Sequence, residues 1–270
     1  MIKVAELWIY PVKSCGGISL DSVEVNIQGF KGDRQWMIVD SGGNFLTQRQ
    51  YPQLARVRTQ LTDDQLTLNF DNFAPLTIST QPQGSLKSVT VWRNRVQALD
   101  QGEAAAAWFS EVLQMPCRLV RQSPDYVRPI NPNYALWENQ PVSFADGYPI
   151  LLTNTASLKM LSEKLGEELP MNRFRPNLVV STDEPFAEDH WQKITIQNQE
   201  FIIAKPCERC IVTTTDQTTG DRHPAQEPLR TLGTFRHKKD QGILFGINIM
   251  PVTQGEIEVG AIATLLDHQI

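Results

Sequence analysis

The 270-residue sequence has few cysteines and no long apolar run. Its 4 cysteines are too few for a disulfide scaffold in a chain of this length, so we expect reduced thiols in a cytoplasmic protein. A membrane-spanning helix needs roughly 20 apolar residues, which no segment approaches. Lys3 and Glu6 also interrupt the first apolar stretch, which therefore lacks the pattern of a signal peptide. The sequence predicts a soluble protein without a membrane partner.

The sequence also lacks a large excess of charge of one sign. The 25 basic residues oppose 30 acidic residues, which gives a formal net charge of -5. This balance provides no extended positive field, so we expect no nucleic-acid partner. Any bound anion must instead be held by a local cluster of cations. The length suits two modest domains.

The first hundred residues alternate apolar and polar side chains in short runs, which is the period of half-buried strands. Turn residues at 41–44 and 62–65 separate some of these runs, as in hairpins. A largely antiparallel sheet curled into a barrel is expected. The predicted strands are 4–10, 18–27, 35–39, 54–61, 66–70, 76–79 and 88–92, followed by a helix at 102–114 and a strand at 117–120.

The second half begins after a segment at 123–133 in which three prolines preclude regular structure. We place a domain boundary close to residue 121. A helix capped by Asn154 or Thr155 should end at Gly166, because its leucines share one face. The sequence therefore predicts a mainly β fold with some α (class α+β), with further strands at 149–153, 177–181, 194–204, 243–252 and 257–259 and a short helix at 228–235.

The segment at 205–220, KPCERCIVTTTDQTTG, carries the strongest chemical signal. An apolar run at 201–204 predicts a strand that delivers Cys207 and Cys210 to a turn. Arg209 is adjacent to Cys210 and favours its thiolate, which is the form that binds metals and attacks electrophiles. The segment therefore indicates a reactive site.

Three interpretations of the cysteine pair are open. A zinc site needs two further ligands, and the 4 histidines show no ligand spacing. A thioredoxin-like dithiol should open a helix, whereas residues 212–215 favour a strand or loop. A single thiolate bound to the metal of an organic cofactor agrees with the neighbours, because Thr213, Thr214 and Thr215 offer hydroxyls and Arg209 offers a guanidinium suited to phosphate.

The CERCIVTTTDQTTG segment resembles the signature of MOSC-domain proteins, named for the C-terminal domain of molybdenum cofactor sulfurase. More narrowly, it is similar to the mitochondrial amidoxime-reducing component and its bacterial relatives of the YcbX type. Three other motifs agree in kind and order: YPVKS at 10–14 followed by two glycines, GDR at 32–34 with Trp36, and FRPN at 174–177. The resemblance implies an N-terminal MOSC-type β-barrel domain over 1–121 and a MOSC β-barrel domain with flanking helices over 122–266.

The resemblance also implies a site for molybdenum with molybdopterin, a pterin cofactor that ends in a phosphate. Cys210 is the implied metal ligand and catalytic residue, whereas Cys207 is not a ligand. Asn177 is a secondary candidate, as are Thr153 and Asn154, which precede a helix whose N-terminus can receive an anion. The implied cofactor contacts are Lys13, Ser14, Arg34, Arg175, Arg209 and Thr214, which supply the cations and donors that a buried phosphate needs.

Several of these residues have a structural alternative. The alternative for Lys13 is a solvated surface lysine. The alternative for Arg34 is a turn residue that pairs with Asp33. For Arg175 the main rival is a buried ion pair. Capping alone explains Asn154 nearly as well as cofactor binding does.

The implied activity is that of a molybdenum-dependent oxidoreductase. It removes oxygen from the N–O bond of N-hydroxylated compounds such as amidoximes and hydroxylamines. The alternative is a non-enzymatic module that carries or transfers molybdenum cofactor or sulfur. YcbX-type relatives bring in electrons through a C-terminal iron–sulfur domain, but this sequence has no cysteine after Cys210. We therefore expect an external electron-donor protein of the ferredoxin or flavoprotein type.

Overall fold

The computed structural model describes residues 1–266, which form a mainly β protein with three α-helices. This confirms the predicted α+β class. The first half contains helix α1 (Gly102–Leu113) and strands β1 (Ile2–Ile9), β2 (Ile18–Leu20), β3 (Ser22–Asn26), β4 (Gly29–Phe30), β5 (Trp36–Asp40), β6 (Arg58–Leu61), β7 (Gln65–Asn69), β8 (Leu76–Ser79), β9 (Leu86–Val91), β10 (Asn94–Asp100) and β11 (Cys117–Gln122). The second half contains helices α2 (Thr155–Leu165) and α3 (Leu229–Phe235) and strands β12 (Ile150–Asn154), β13 (Leu178–Ser181), β14 (Lys193–Ile196), β15 (Gln199–Glu208), β16 (His237–Lys238), β17 (Gly242–Pro251), β18 (Gly255–Glu258) and β19 (Ile262–Leu265).

Seven strands close into a barrel in the order β12, β13, β1, β19, β14, β15 and β17, and β17 pairs with β12 to complete it. Closure leaves none of these strands with an open edge. Alternate side chains point into the core, where Ile194, Phe201 and Ile249 are completely buried. The barrel is therefore a rigid frame for the loops that precede β13 and follow β15.

The first half folds around α1, whose Phe109 packs with Trp36 and Leu119 in one core cluster. Two antiparallel sheets surround this core, one with the order β5, β11, β10 and β9 and the other with the order β6, β7 and β8. β9 and β10 form a hairpin, and Trp92 at its tip adopts a left-handed conformation with φ of 54°. The hairpin carries this indole toward the cavity described below.

The predicted boundary near residue 121 lies at the end of β11, after which the chain is irregular as far as β12. β1, however, lies between β13 and β19 of the barrel, with Leu7 opposite Leu178. The division into domains at 1–121 and 122–266 stays a prediction.

Helix α2 has the ends that the sequence predicts. The Asn154 side chain accepts a hydrogen bond from the amide of Ala156 at 3.0 Å, and Gly166 leaves the helix with φ of 81°. The longest helix within residues 1–266 has 12 residues, and none of the helices there has the length and apolar character to cross a membrane.

Some predicted strands are wrong in their limits. The run at 54–61 begins as a 3-10 turn, Pro52–Arg56, because proline at the start fixes a φ that suits a helical turn. The run at 194–204 is two strands, β14 and β15, joined by a tight turn in which Gln197 has φ of 51°. Likewise, the run at 18–27 is divided between β2 and β3.

Candidate functional site

A cavity of about 540 Å³ opens where the loops after β1, before β13 and after β15 meet. Both cysteines of the CERC segment line it. The cations in the wall are Lys13, Arg34, Arg49, Arg175 and Arg209. Only two carboxylates of the described residues, Asp146 and Glu208, lie in the same wall, so positive charge predominates and the cavity suits an anion.

Three of the predicted contact residues have a left-handed backbone: φ is 70° at Ser14, 48° at Arg34 and 54° at Arg175. Residues other than glycine rarely adopt this conformation, which costs roughly 1–3 kcal/mol each. All three line the same cavity. The fold thus keeps unfavourable backbone geometry where it brings these side chains together.

Lys13 is buried, so the solvated alternative is wrong for this residue. Its Nζ donates to Asp146 Oδ1 at 2.5 Å and to the carbonyl oxygen of Phe144 at 2.8 Å. Burial lowers the pKa of Lys13 to about 8, although Asp146 acts in the opposite direction. The ammonium group therefore faces the cavity with one carboxylate as its counter-ion.

Arg34 joins the two halves of the chain. Its Nη1 donates to Asp33 Oδ2 at 2.7 Å and to Asn177 Oδ1 at 2.9 Å, and its Nη2 donates to the carbonyl oxygen of Arg175 at 3.1 Å. The alternative pairing with Asp33 is thus present, and Arg34 lines the cavity as well. Asn177 is buried and bonded to the framework through the Leu151 amide and the Trp8 carbonyl.

Arg175 and Arg209 each have one buried nitrogen that finds no hydrogen-bond partner among the described residues. Arg175 Nη1 donates to Gln217 Oε1 at 3.2 Å, whereas its Nη2 has no protein partner within residues 1–266. Arg209 Nη2 donates to the Phe174 carbonyl at 2.6 Å and Nη1 to Cys207 Sγ at 3.0 Å, while its Nε has none among the same residues. A buried donor without a partner costs about 1–3 kcal/mol, and an anion in the cavity would satisfy it.

The rival interpretation of Arg175, a buried ion pair, is not found in the part of the chain that the structure describes. None of the salt bridges there includes Arg175. Burial lowers the pKa of this guanidinium to about 10, so the group is still a cation at neutral pH. Its charge is available to an anionic ligand.

The two thiols lie in an extended stretch of backbone. β15 carries Cys207, where its pairing with β17 shifts by a bulge between Pro206 and Glu208, and Cys210 follows with φ of -125° and ψ of -178°. Both cysteines are free and partly exposed. A thioredoxin-like dithiol at the start of a long helix is therefore wrong, because only the 3-10 turn Ile211–Thr214 follows Cys210.

A zinc site is also without support. Within residues 1–266 no group of three or more His, Cys, Asp or Glu side chains is suitably placed to hold a metal ion. A metal at Cys210 would need its remaining ligands from another molecule. A cofactor that carries sulfur ligands of its own meets that requirement.

Three predicted contact residues do not line the cavity. Thr214 Oγ1 donates to the Ile211 carbonyl at 2.7 Å, and Thr153 Oγ1 lies 3.3 Å from Met171 Sδ. Asn154 Nδ2 donates to the buried Glu188 at 2.9 Å. Each side chain thus has a partner within the framework, and its contact with a cofactor stays a prediction without geometric support.

Replacing Asn154 with alanine distinguishes a role in capping α2 from a role in binding the cofactor. We expect the free energy of unfolding to fall by about 2–4 kcal/mol, because the helix cap and a buried bond to a carboxylate are both lost. Urea denaturation measures this change. The cofactor content of the folded variant should equal that of the wild-type protein, and a selective loss of cofactor would instead support a binding contact.

Several other residues in and around the cavity have no signal in the sequence. Trp92 Nε1 donates to Asp146 Oδ1 at 3.2 Å, and the Arg49 guanidinium lies 4.5 Å from the Trp92 ring. Arg128 fixes the segment that carries Asp146, because it donates to the carbonyls of Ser143 and Ala145. The proline-rich segment around Arg128 is thus anchored beneath the site, and only tertiary contacts reveal it.

Two family models match the chain. The MOSC N-terminal beta barrel domain matches residues 1–116, and the MOSC domain matches residues 139–263. These are the two domain types that the motifs imply, in the same order. The resemblance drawn from the motifs is confirmed.

Similar proteins cover most of the chain. Mitochondrial amidoxime reducing component 2 of Bos taurus is 35% identical, with 95% of this chain and 81% of that protein covered. Mitochondrial amidoxime-reducing component 1 of Mus musculus is 36% identical, with 86% and 71% covered. Molybdenum cofactor sulfurase of Danio rerio is 34% identical over 90% of this chain, which spans 31% of the sulfurase. The chain therefore belongs to the family of MOSC-domain proteins that includes the mitochondrial amidoxime-reducing components.

Proposed function

We propose that the protein is an oxidoreductase that binds molybdenum with molybdopterin and reduces N-hydroxylated compounds such as amidoximes and N-hydroxylamines. The observation that carries the proposal is the pair of buried donors, Arg175 Nη2 and Arg209 Nε, beside the free thiol of Cys210 in one cationic cavity. The names of the amidoxime-reducing relatives support the reaction class.

The donor set of the cavity fits a ligand with a phosphate and a soft metal. Lys13, Arg34 and Arg175 supply charge-assisted hydrogen bonds for the phosphate, and Ser14 adds a hydroxyl beside them. Arg209 orients the ligand near the thiol, and Cys210 is the proposed metal ligand and catalytic residue. When bound, the molybdenum group supplies the two-electron chemistry that removes oxygen from an N–O bond.

The reaction requires partners. Oxygen removed from an N–O bond leaves as water only if two electrons and two protons are delivered. We propose that an external donor protein of the ferredoxin or flavoprotein type supplies the electrons. A cytoplasmic location is part of the same proposal, and the free thiols Cys207 and Cys210 support it because a reducing compartment keeps thiols unpaired.

Metal analysis followed by an activity assay tests the proposal. The purified protein should contain molybdenum and should reduce benzamidoxime to benzamidine with a chemical electron donor. Bound molybdenum without turnover would favour a non-enzymatic carrier or transfer module, which agrees with the likeness to molybdenum cofactor sulfurase. Zinc in place of molybdenum would refute the cofactor assignment.

Anion binding to the cavity should weaken as the pH rises above about 8. Lys13 is buried there with a pKa of about 8, so its ammonium is charged below that pH and loses its proton above it. Sulfate is a suitable probe because its charge is constant over this range. Calorimetric titration of the cofactor-free protein should show falling sulfate affinity from about pH 7 to about pH 9, and Lys13→Met should flatten this profile. A wild-type profile as flat as that of the variant would contradict the expectation.

A further inference from the structure

The ring of Tyr10 contacts the two central arginines of the cavity. The Arg34 guanidinium carbon is 4.4 Å from the ring centroid, and that of Arg175 is 4.2 Å from it. Both distances are within the range of a cation–π contact, which is strongest where water is excluded. Tyr10 is 2% exposed, so both contacts are in a buried environment.

Burial lowers the pKa of Arg175, and the charge of Arg34 acts in the same direction. An aromatic ring carries negative charge density on its faces, so the Tyr10 ring attracts both guanidiniums. Asp33 neutralises Arg34 at 2.7 Å, which leaves Arg175 dependent on the ring and on neutral partners.

The backbone fixes the ring in this place. The Tyr10 amide donates to Asp33 Oδ1 at 2.8 Å, and the Tyr10 carbonyl accepts from the Arg34 amide at 2.9 Å. Gly17 lies against the ring, where a Cβ atom would be 2.6 Å from Tyr10 Cε1. A side chain at residue 17 would therefore displace the ring.

The hydroxyl group takes no part in this arrangement. Tyr10 Oη is buried and has no hydrogen-bond partner among residues 1–266. Burial raises the pKa of Tyr10 to about 12, so the phenol is neutral and does not compete with an anion for the arginines. The useful part of Tyr10 is its ring.

We propose that Tyr10 is a positioning residue of the anion site, whose ring packs against the Arg34 and Arg175 guanidiniums and holds them in place for a phosphate in the cavity. The inference rests on the proposed function only for the identity of the phosphate ligand. The arrangement itself should govern the binding of any tetrahedral dianion.

The matched variants Tyr10→Phe and Tyr10→Leu test the proposal. Tyr10→Phe keeps the aromatic ring and removes only the hydroxyl, so molybdenum and pterin content should equal that of the wild-type protein. Tyr10→Leu keeps an apolar side chain without π faces, so sulfate affinity of the cofactor-free protein should fall by about tenfold. The molybdenum content of the same variant after purification should also fall.

Two outcomes would overturn the proposal. One is a folded Tyr10→Leu protein with wild-type sulfate affinity, and the other is a Tyr10→Phe protein as defective as Tyr10→Leu. If Tyr10→Leu does not fold, Gly17→Ala displaces the ring without removing any side chain, and it should weaken sulfate binding similarly; unchanged binding would refute the inference. If the wild-type protein binds sulfate but no molybdenum, the proposed function fails while these sulfate measurements still decide the role of Tyr10.

Discussion

Replacing Cys210 with alanine is expected to abolish amidoxime reduction. Removing a residue that hydrogen-bonds to a metal ligand lowers metal affinity or activity roughly 10- to 100-fold. Removing the metal ligand itself should lower them further. The side chain is small and partly exposed, so the free energy of unfolding should change by less than about 1 kcal/mol. Turnover with benzamidoxime, normalised to folded protein, measures the effect.

The neighbouring thiol provides the control. Cys207 accepts a hydrogen bond from Arg209 Nη1 at 3.0 Å, so Cys207→Ser keeps a hydrogen-bond acceptor at this position. This variant should retain most of the activity. A Cys207→Ser protein as inactive as Cys210→Ala would refute the choice of Cys210 as the sole protein ligand.

The structure gives a physical reason for this asymmetry. Cys207 lies within β15 at a bulge, and its sulfur is in contact with a guanidinium of the same segment. Cys210 lies past the strand end, and its carbonyl oxygen accepts from the Thr213 amide at 3.1 Å, which fixes the turn that follows. Two thiols that are three residues apart in sequence are therefore in different environments, one bonded to an arginine and one free to bind a ligand.

Local sequence patterns predict most of the framework around the site. The apolar run at 201–204 predicts the strand that leads to the cysteines, but β15 continues to Glu208, so Cys207 lies in the strand and not in the predicted turn. The cap of α2 follows from Asn154 and Gly166. These features depend on neighbouring residues, so the sequence contains the needed information. Local patterns do not predict the closure of the seven-stranded barrel, because β1 pairs with β13 and β19, which are far from it in the sequence.

Local sequence patterns also do not predict the cavity. The motifs indicate Lys13, Arg34 and Arg175 one at a time, but neither their common cavity nor the contact of both arginines with the Tyr10 ring is visible in a linear pattern. Asp146 lies in an irregular segment, and Trp92 is at a hairpin tip. Both become part of the site through contacts between remote residues, which periodicity and spacing do not record.

Replacing Arg175 with glutamine is expected to separate cofactor binding from stability. The variant loses a buried cation and the Nη2 donor that has no partner within residues 1–266. Hydrogen bonds to charged groups contribute about 1.5–3 kcal/mol, so sulfate affinity should fall roughly 10- to 100-fold and molybdenum content should fall with it. Arg175→Lys should be intermediate, because it keeps the charge without the planar fork.

The stability of the same variant should respond differently. Burial of an uncompensated cation is unfavourable, and its removal offsets the lost contact with Tyr10, so the free energy of unfolding should change by less than about 1 kcal/mol. Arg95→Gln is the charge-matched control, because Arg95 Nε donates to Ser88 Oγ at an exposed position outside the cavity. Calorimetry with sulfate and urea denaturation measure the two quantities on the same samples. If Arg175→Gln binds sulfate as tightly as Arg95→Gln does, the unpartnered donor is not part of an anion site.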